Sequence, residues 1–125
     1  MHKDVSFEKA YALAVGIVKC CQEVRKTKGE VVLSGQLLRS GTSIAANLAE
    51  GHAAISDADL SSKISISYKE SRETKYWLKL MVDTGYLKPS QAEPLLAQAD
   101  EISRIIFASI RTLRLRKTRP ASANE

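Results

Sequence analysis

Four stretches of the chain place apolar residues three and four apart, and each spacing predicts a helix with one buried face. The first runs from about Phe7 to Lys26 and aligns Phe7, Ala10, Ala14, Ile17, Val18, Cys21 and Val24. Gly29 is placed to stop it, and Ser34 to cap the next. The second runs from about Gly35 to Ala53, with Leu37, Gly41, Ile44 and Leu48 as its apolar stripe. Ser56 or Asp57 then caps a third helix, about Ala58 to Thr84, that ends at Gly85. Its inward stripe is Leu60, Ile64, Ser67, Ser71, Thr74, Leu78 and Met81, small and polar in the middle. In an antiparallel hairpin Ser67 and Ser71 should lie level with Ala46, Ser43 and Ser40. The alanines and Gly41 would then admit a close approach of helix three, with Ile44, Leu48, Ile66, Trp77 and Leu80 packing to the sides. Ser90 and Glu93 suggest a capping box for the fourth helix, with Pro94 tolerated in its first turn. Leu95, Ala99, Ile102, Ile106, Ile110 and Leu113 continue it as an almost unbroken seam, and Pro120 ends any helix. No β pattern appears. The expected fold is all-α, an antiparallel up-down four-helix bundle over residues 1–117, followed by a disordered basic and polar tail over 118–125.

Composition narrows this little. At 125 residues and 44% hydrophobic, the chain suits one folded domain. No apolar run reaches the roughly 20 residues that span a bilayer, and the first residues lack a signal-peptide core. Cys20 and Cys21 are adjacent and badly placed to bridge each other, so a reduced, cytoplasmic protein is expected, with no membrane partner.

Charge changes the picture more. Up to Ser103 there are 13 basic and 13 acidic residues; from Arg104 onward come Arg104, Arg111, Arg114, Arg116, Lys117 and Arg119 against the single acid Glu125. The whole net charge of +5 therefore sits at the C-terminal end. Such an end suits an anionic partner, nucleic acid first and a membrane surface second. The plainer alternative is a solubilising segment that complements a helix dipole.

Motifs for catalysis are missing. Glu50, Glu70, Glu73 and His52 do not follow the Glu-x-x-His pattern of bundle metal sites, so no metal or cofactor is expected. No nucleophile elbow and no phosphate-binding glycine loop occur. Cys20 and Cys21 fall mid-helix, where thiols act as small hydrophobes. Arg39 should pair with Glu73 and tie helix two to helix three. Ser43, Asn47 and Glu50 share one stripe and suggest a hydrogen-bonded seam between helices or subunits. Tyr68, Tyr76 and Trp77 suit a core or subunit contact better than base stacking.

The segments GQLLRSGTSIAANLAEG and KISISYKESRETKYWLKLMVDTGYL resemble the small bacterial helical proteins encoded within intervening sequences of large-subunit ribosomal RNA genes. The resemblance covers about Phe7 to Leu113. It implies an up-down bundle that assembles as a ring-like homopentamer, with no catalytic residues to carry over. A relative is the accessory protein of diversity-generating retroelements, a basic pentameric barrel that binds nucleic acid and a reverse transcriptase. The chain is thus expected to be a non-enzymatic homo-oligomer that binds RNA or DNA, structured RNA first, through its basic end. The alternative is a scaffold that docks a protein partner such as a reverse transcriptase.

Overall fold

The computed structural model of the protein describes residues 5–118. It contains four helices: α1 (Val5–Lys28), α2 (Val32–His52), α3 (Asp57–Asp83) and α4 (Pro89–Thr118). No strand occurs among the described residues. Each helix packs on the next and α4 returns to α1, an arrangement compatible with an antiparallel up-down bundle. The connections are too short to allow any neighbour but an antiparallel one. Of the expected tail, Thr118 is the last residue of α4 and the remainder lies outside the described residues.

The ends of the helices follow local chemistry, not always at the expected residues. Gly29 adopts φ +65°, which ends α1 with its N–H on the Arg25 carbonyl at 3.1 Å. The cap of α2 is not Ser34. Glu30 folds its carboxylate back over the first turn, accepting from Leu33 N–H at 2.7 Å and Ser34 N–H at 2.8 Å. Ser34 lies inside that turn and donates its hydroxyl to the Glu30 carbonyl. Partial burial opposes charge on Glu30, but the backbone N–H groups of Leu33, Ser34 and Val32 outweigh it, so the carboxyl sits below the usual range. Ser56 caps α3 as expected, accepting from Asp59 N–H at 3.1 Å. At the start of α4, Gln91 rather than Glu93 returns its side chain, accepting from Lys88 N–H at 2.8 Å. The helix opens on Pro89, so Pro94 lies beyond the first turn and withholds a hydrogen bond from the Ser90 carbonyl.

The core is built from Ala10, Leu13, Ile17, Cys21 and Val24 of α1, Leu37, Ile44 and Leu48 of α2, Leu78 and Met81 of α3, and the full α4 seam from Leu95 to Leu113. Leu13 is wholly buried, whereas Ala14 and Val18 are only half-buried, so α1 is rotated slightly from its expected face. The close approach at Gly41 is to α1 rather than α3: a β-carbon there would come within 2.8 Å of Ile17 Cγ2. Gly16 makes similar room for Leu95 of α4. Of the α2 alanines, Ala45 is buried whereas Ala46 and Ala49 are exposed.

The polar middle of α3 is satisfied by both neighbours. Ser67 donates to the Ile44 carbonyl of α2 at 2.8 Å, and Thr74 lies 3.1 Å from the Ser40 hydroxyl. Ser71 turns away from α2 and meets Ser103 of α4 at 2.7 Å. Thus Ser67 is level with Ile44, not Ala46, and the expected pairing of Ser71 with α2 is replaced by one with α4. Among the described residues, no buried side-chain polar atom lacks a hydrogen-bond partner. The α1–α4 interface is the lightest of the four.

Candidate nucleic-acid interface

The helical phase of α4 sorts the basic residues. Arg104, Phe107, Arg111 and Arg114 stand at i, i+3, i+7 and i+10, so they line one outward stripe. All four are exposed. Arg116 follows Arg114 by two residues, about 200° further round the helix, and points elsewhere. It borders a small cleft of about 90 Å³ with Asp57, Ser61 and Leu113, where an acid stands near it. Lys117 belongs to the last turn of α4, and Arg119 lies outside the described residues. The basic run that looks like one cluster in sequence is therefore divided between two directions.

Along the stripe, α4 faces α3 across a cleft of about 260 Å³. Tyr68, Arg72 and Lys75 of α3 border it at i, i+4 and i+7; Asp100, Arg104 and Phe107 of α4 border it at the same spacing in the opposite direction. Asp100 accepts from Arg104 at 2.6 Å and from Lys75 at 3.3 Å. The Tyr68 and Phe107 rings lie 5.6 Å apart, tilted by 44°. The Arg72 guanidinium stands 6.0 Å from the centre of the Tyr68 ring, a cation–π contact. Ser103, hydrogen-bonded to Ser71, also lines the cleft. Sequence reasoning singled out Arg104 and Tyr68 separately and missed the cleft. The matched spacing on the two helices was the available signal, but it has meaning only once the α3–α4 register is known.

The other expected group lies on α2 and α3. Arg39 binds Glu70 Oε2 at 2.7 Å and also pairs with Glu73, whose carboxylate accepts from Trp77 Nε1 at 3.2 Å. The Arg39 guanidinium is held protonated more firmly than usual by its bonds to Glu70 and then Glu73. The Trp77 N–H, ahead of Arg39, keeps the Glu73 carboxyl below the usual range, against the opposing effect of partial burial. Glu70 was not foreseen as a partner, though its side chain is the more deeply buried carboxylate of the two. Ser43 and Asn47 bond back into α2 itself, to the carbonyls of Arg39 and Ser43. Of that stripe, Glu50 crosses to another helix, meeting Lys63 of α3 at 3.2 Å.

Little else in the fold offers chemistry. No group of three His, Cys, Asp or Glu side chains among the described residues is arranged to hold a metal. Cys21 donates its thiol to the Ser34 carbonyl at 3.3 Å, and burial, reinforced by Cys20, pushes it up to about 12. Such a thiol stays protonated and unreactive. No helix of the described residues is long and apolar enough to cross a membrane.

Residues 3–108 match the 23S rRNA-intervening sequence protein family. The chain belongs to that family. A solved member of the S23 ribosomal protein family, a protein of unknown function from Bacteroides thetaiotaomicron, is similar in fold. It shares 39% identity over 85% of this chain and 98% of its own, with a TM-score of 0.83. No curated protein matches the chain. For this member of the 23S rRNA-intervening sequence family, the matched span contains the α3–α4 cleft and stops before Arg111.

Proposed function

We propose that the protein is a non-catalytic nucleic-acid-binding protein that grips phosphates along the outer stripe of α4. One observation carries this reading: Arg104, Arg111 and Arg114 share a single exposed helical face in a segment without an acid from Arg104 to Thr118. Up to Ser103 basic and acidic residues balance in number, so the C-terminal segment that includes this face carries the surplus charge. The family description, which names 23S rRNA intervening sequences, makes RNA the first nucleic acid to test. Contacts of this kind position a phosphate backbone without reading sequence. Filter binding with a structured RNA at low salt should show association that weakens steeply as salt rises. Absence of binding at low salt overturns the proposal.

Self-association belongs to the same reading, with a ring such as a pentamer as the expected form. Tyr11 and Val15 of α1 and Tyr76 of α3 are large apolar side chains left exposed by the single chain, and a second copy is the simplest cover for them. A ring would repeat the α4 stripe and multiply its hold on one RNA. Sedimentation of the purified chain tests this; a monomer at micromolar concentration would remove it.

A further inference from the structure

The α3–α4 cleft interrupts the basic stripe with an aromatic surface, which a purely electrostatic clamp does not need. Phe107 is 42% exposed although its ring is large and apolar. Tyr68 packs beside it and is only half-buried, with Arg72 near its ring, so Phe107 is the more exposed of the two rings in the cleft. Three cations, Arg72, Lys75 and Arg104, border the cleft with one carboxylate, Asp100. That carboxylate holds Lys75 and Arg104 in place without neutralising both.

Spacing adds to the chemistry. By helical rise, Arg104 lies about 4.5 Å along α4 on one side of Phe107 and Arg111 about 6 Å on the other. A nucleotide whose base rests on Phe107 would therefore have cations on both flanks for its two phosphates. The cleft, about 260 Å³, is the size of one such unit rather than of a duplex. A paired base has both faces covered by its own stack, whereas an unpaired one is free to rest on a protein ring.

From this we infer that the cleft is a stacking subsite for an unpaired RNA base, with Phe107 as the platform and Arg104 and Arg111 as the flanking phosphate contacts. The inference rests on the nucleic-acid reading above and adds to it a preference for single-stranded or looped segments. Since any base offers a flat face, the subsite should tolerate all four bases.

Fluorescence anisotropy on the full chain tests it with three labelled probes at low salt: a ten-nucleotide oligouridine, a ribose-phosphate chain of equal length without bases, and an RNA duplex. The oligouridine should bind roughly ten-fold or more tightly than the baseless chain, the size expected of one stacked base. Phe107→Ala should abolish that difference and leave the salt dependence unchanged, since no charge is removed. Phe107→Trp should preserve the difference, and its own emission should be quenched by oligouridine beyond any change at Trp77, read from the unsubstituted chain. Because Phe107 is half-exposed, circular dichroism should show both variants folded, and Phe107→Trp carries the test should Phe107→Ala fail to fold. Equal binding of the oligouridine and the baseless chain, or a Phe107→Ala variant that keeps the difference, overturns the subsite and leaves the electrostatic reading standing. Binding of none of the three probes overturns both.

Discussion

Single residues show where charge is held and what holds it. Glu30 closes the N-terminus of α2 with two backbone hydrogen bonds, and its carboxyl is depressed in the folded state. A depressed carboxyl contributes stability above its unfolded value, and that contribution is lost as pH falls through the folded one. Glu30→Gln should therefore lower stability by about 0.5–1 kcal/mol near neutrality, the usual worth of a charge at a helix N-terminus. The difference from the parent chain should shrink below about pH 4, in denaturant titrations at several pH values. A gap that stays constant would mean that shape, not charge, makes the cap. Arg39 offers a second case. It is half-exposed, yet it satisfies Glu70, whose side chain is only 11% exposed. Arg39→Met should cost about 1–2 kcal/mol by stranding that carboxylate, and adding Glu70→Gln should restore part of it. A double variant no better than the single one would assign the loss to packing. Neither arrangement was fully legible. In sequence Glu30 falls between the stop at Gly29 and the cap expected at Ser34, which hides its reach to the first turn of α2. Glu70 sits one helical turn before Thr74, and only the register between α2 and α3 shows that both face α2.

At the scale of helices, apolar spacing was a good guide where it was unbroken. The α4 seam is buried from Leu95 to Leu113 at every expected position, because its aliphatic period leaves one way to face the core. Where small residues replace large ones the pattern loses direction. Gly41 was assigned to α3 and instead meets Ile17 of α1, because a missing side chain carries no sign of which neighbour comes close. The two packing glycines should respond differently to alanine. At Gly41 the new methyl would press on the stiff branched part of Ile17, and the overpacking should cost about 1–3 kcal/mol. At Gly16 it would meet only the tip of Leu95. That tip can rotate away, and the roughly 1 kcal/mol gained in helix propensity offsets the clash. Thermal melts of Gly16→Ala and Gly41→Ala should thus separate clearly. Similar melting temperatures would mean that both sites relax alike.

For the molecule as a whole, the distribution of charge matters more than its total. Composition located the surplus at the C-terminal end, but only the helical course of α4 through Thr118 shows that Arg114 and Arg116 diverge. Removing Arg111 and Arg114 together should flatten the slope of log affinity against log salt by about 1.4 for single-stranded RNA, at about 0.7 per phosphate contact. Arg116→Gln, beside Asp57, should change it less. Equal effects would return the site to an undivided basic end. The light contact between α1 and α4 has a different consequence. Its described links include the room made by Gly16 and the exposed Lys9–Glu101 pair at 3.2 Å, and such pairs hold little. The hydroxyls and ion pairs of α3, by contrast, bind α2 on one side and α4 on the other. The molecule is thus built like a book whose spine is the α2–α3 pair, and brief native-state openings should begin along the fore-edge where its first and last helices meet. Amide protons of α1 should exchange with solvent at a lower free-energy cost than those in the middle of α3.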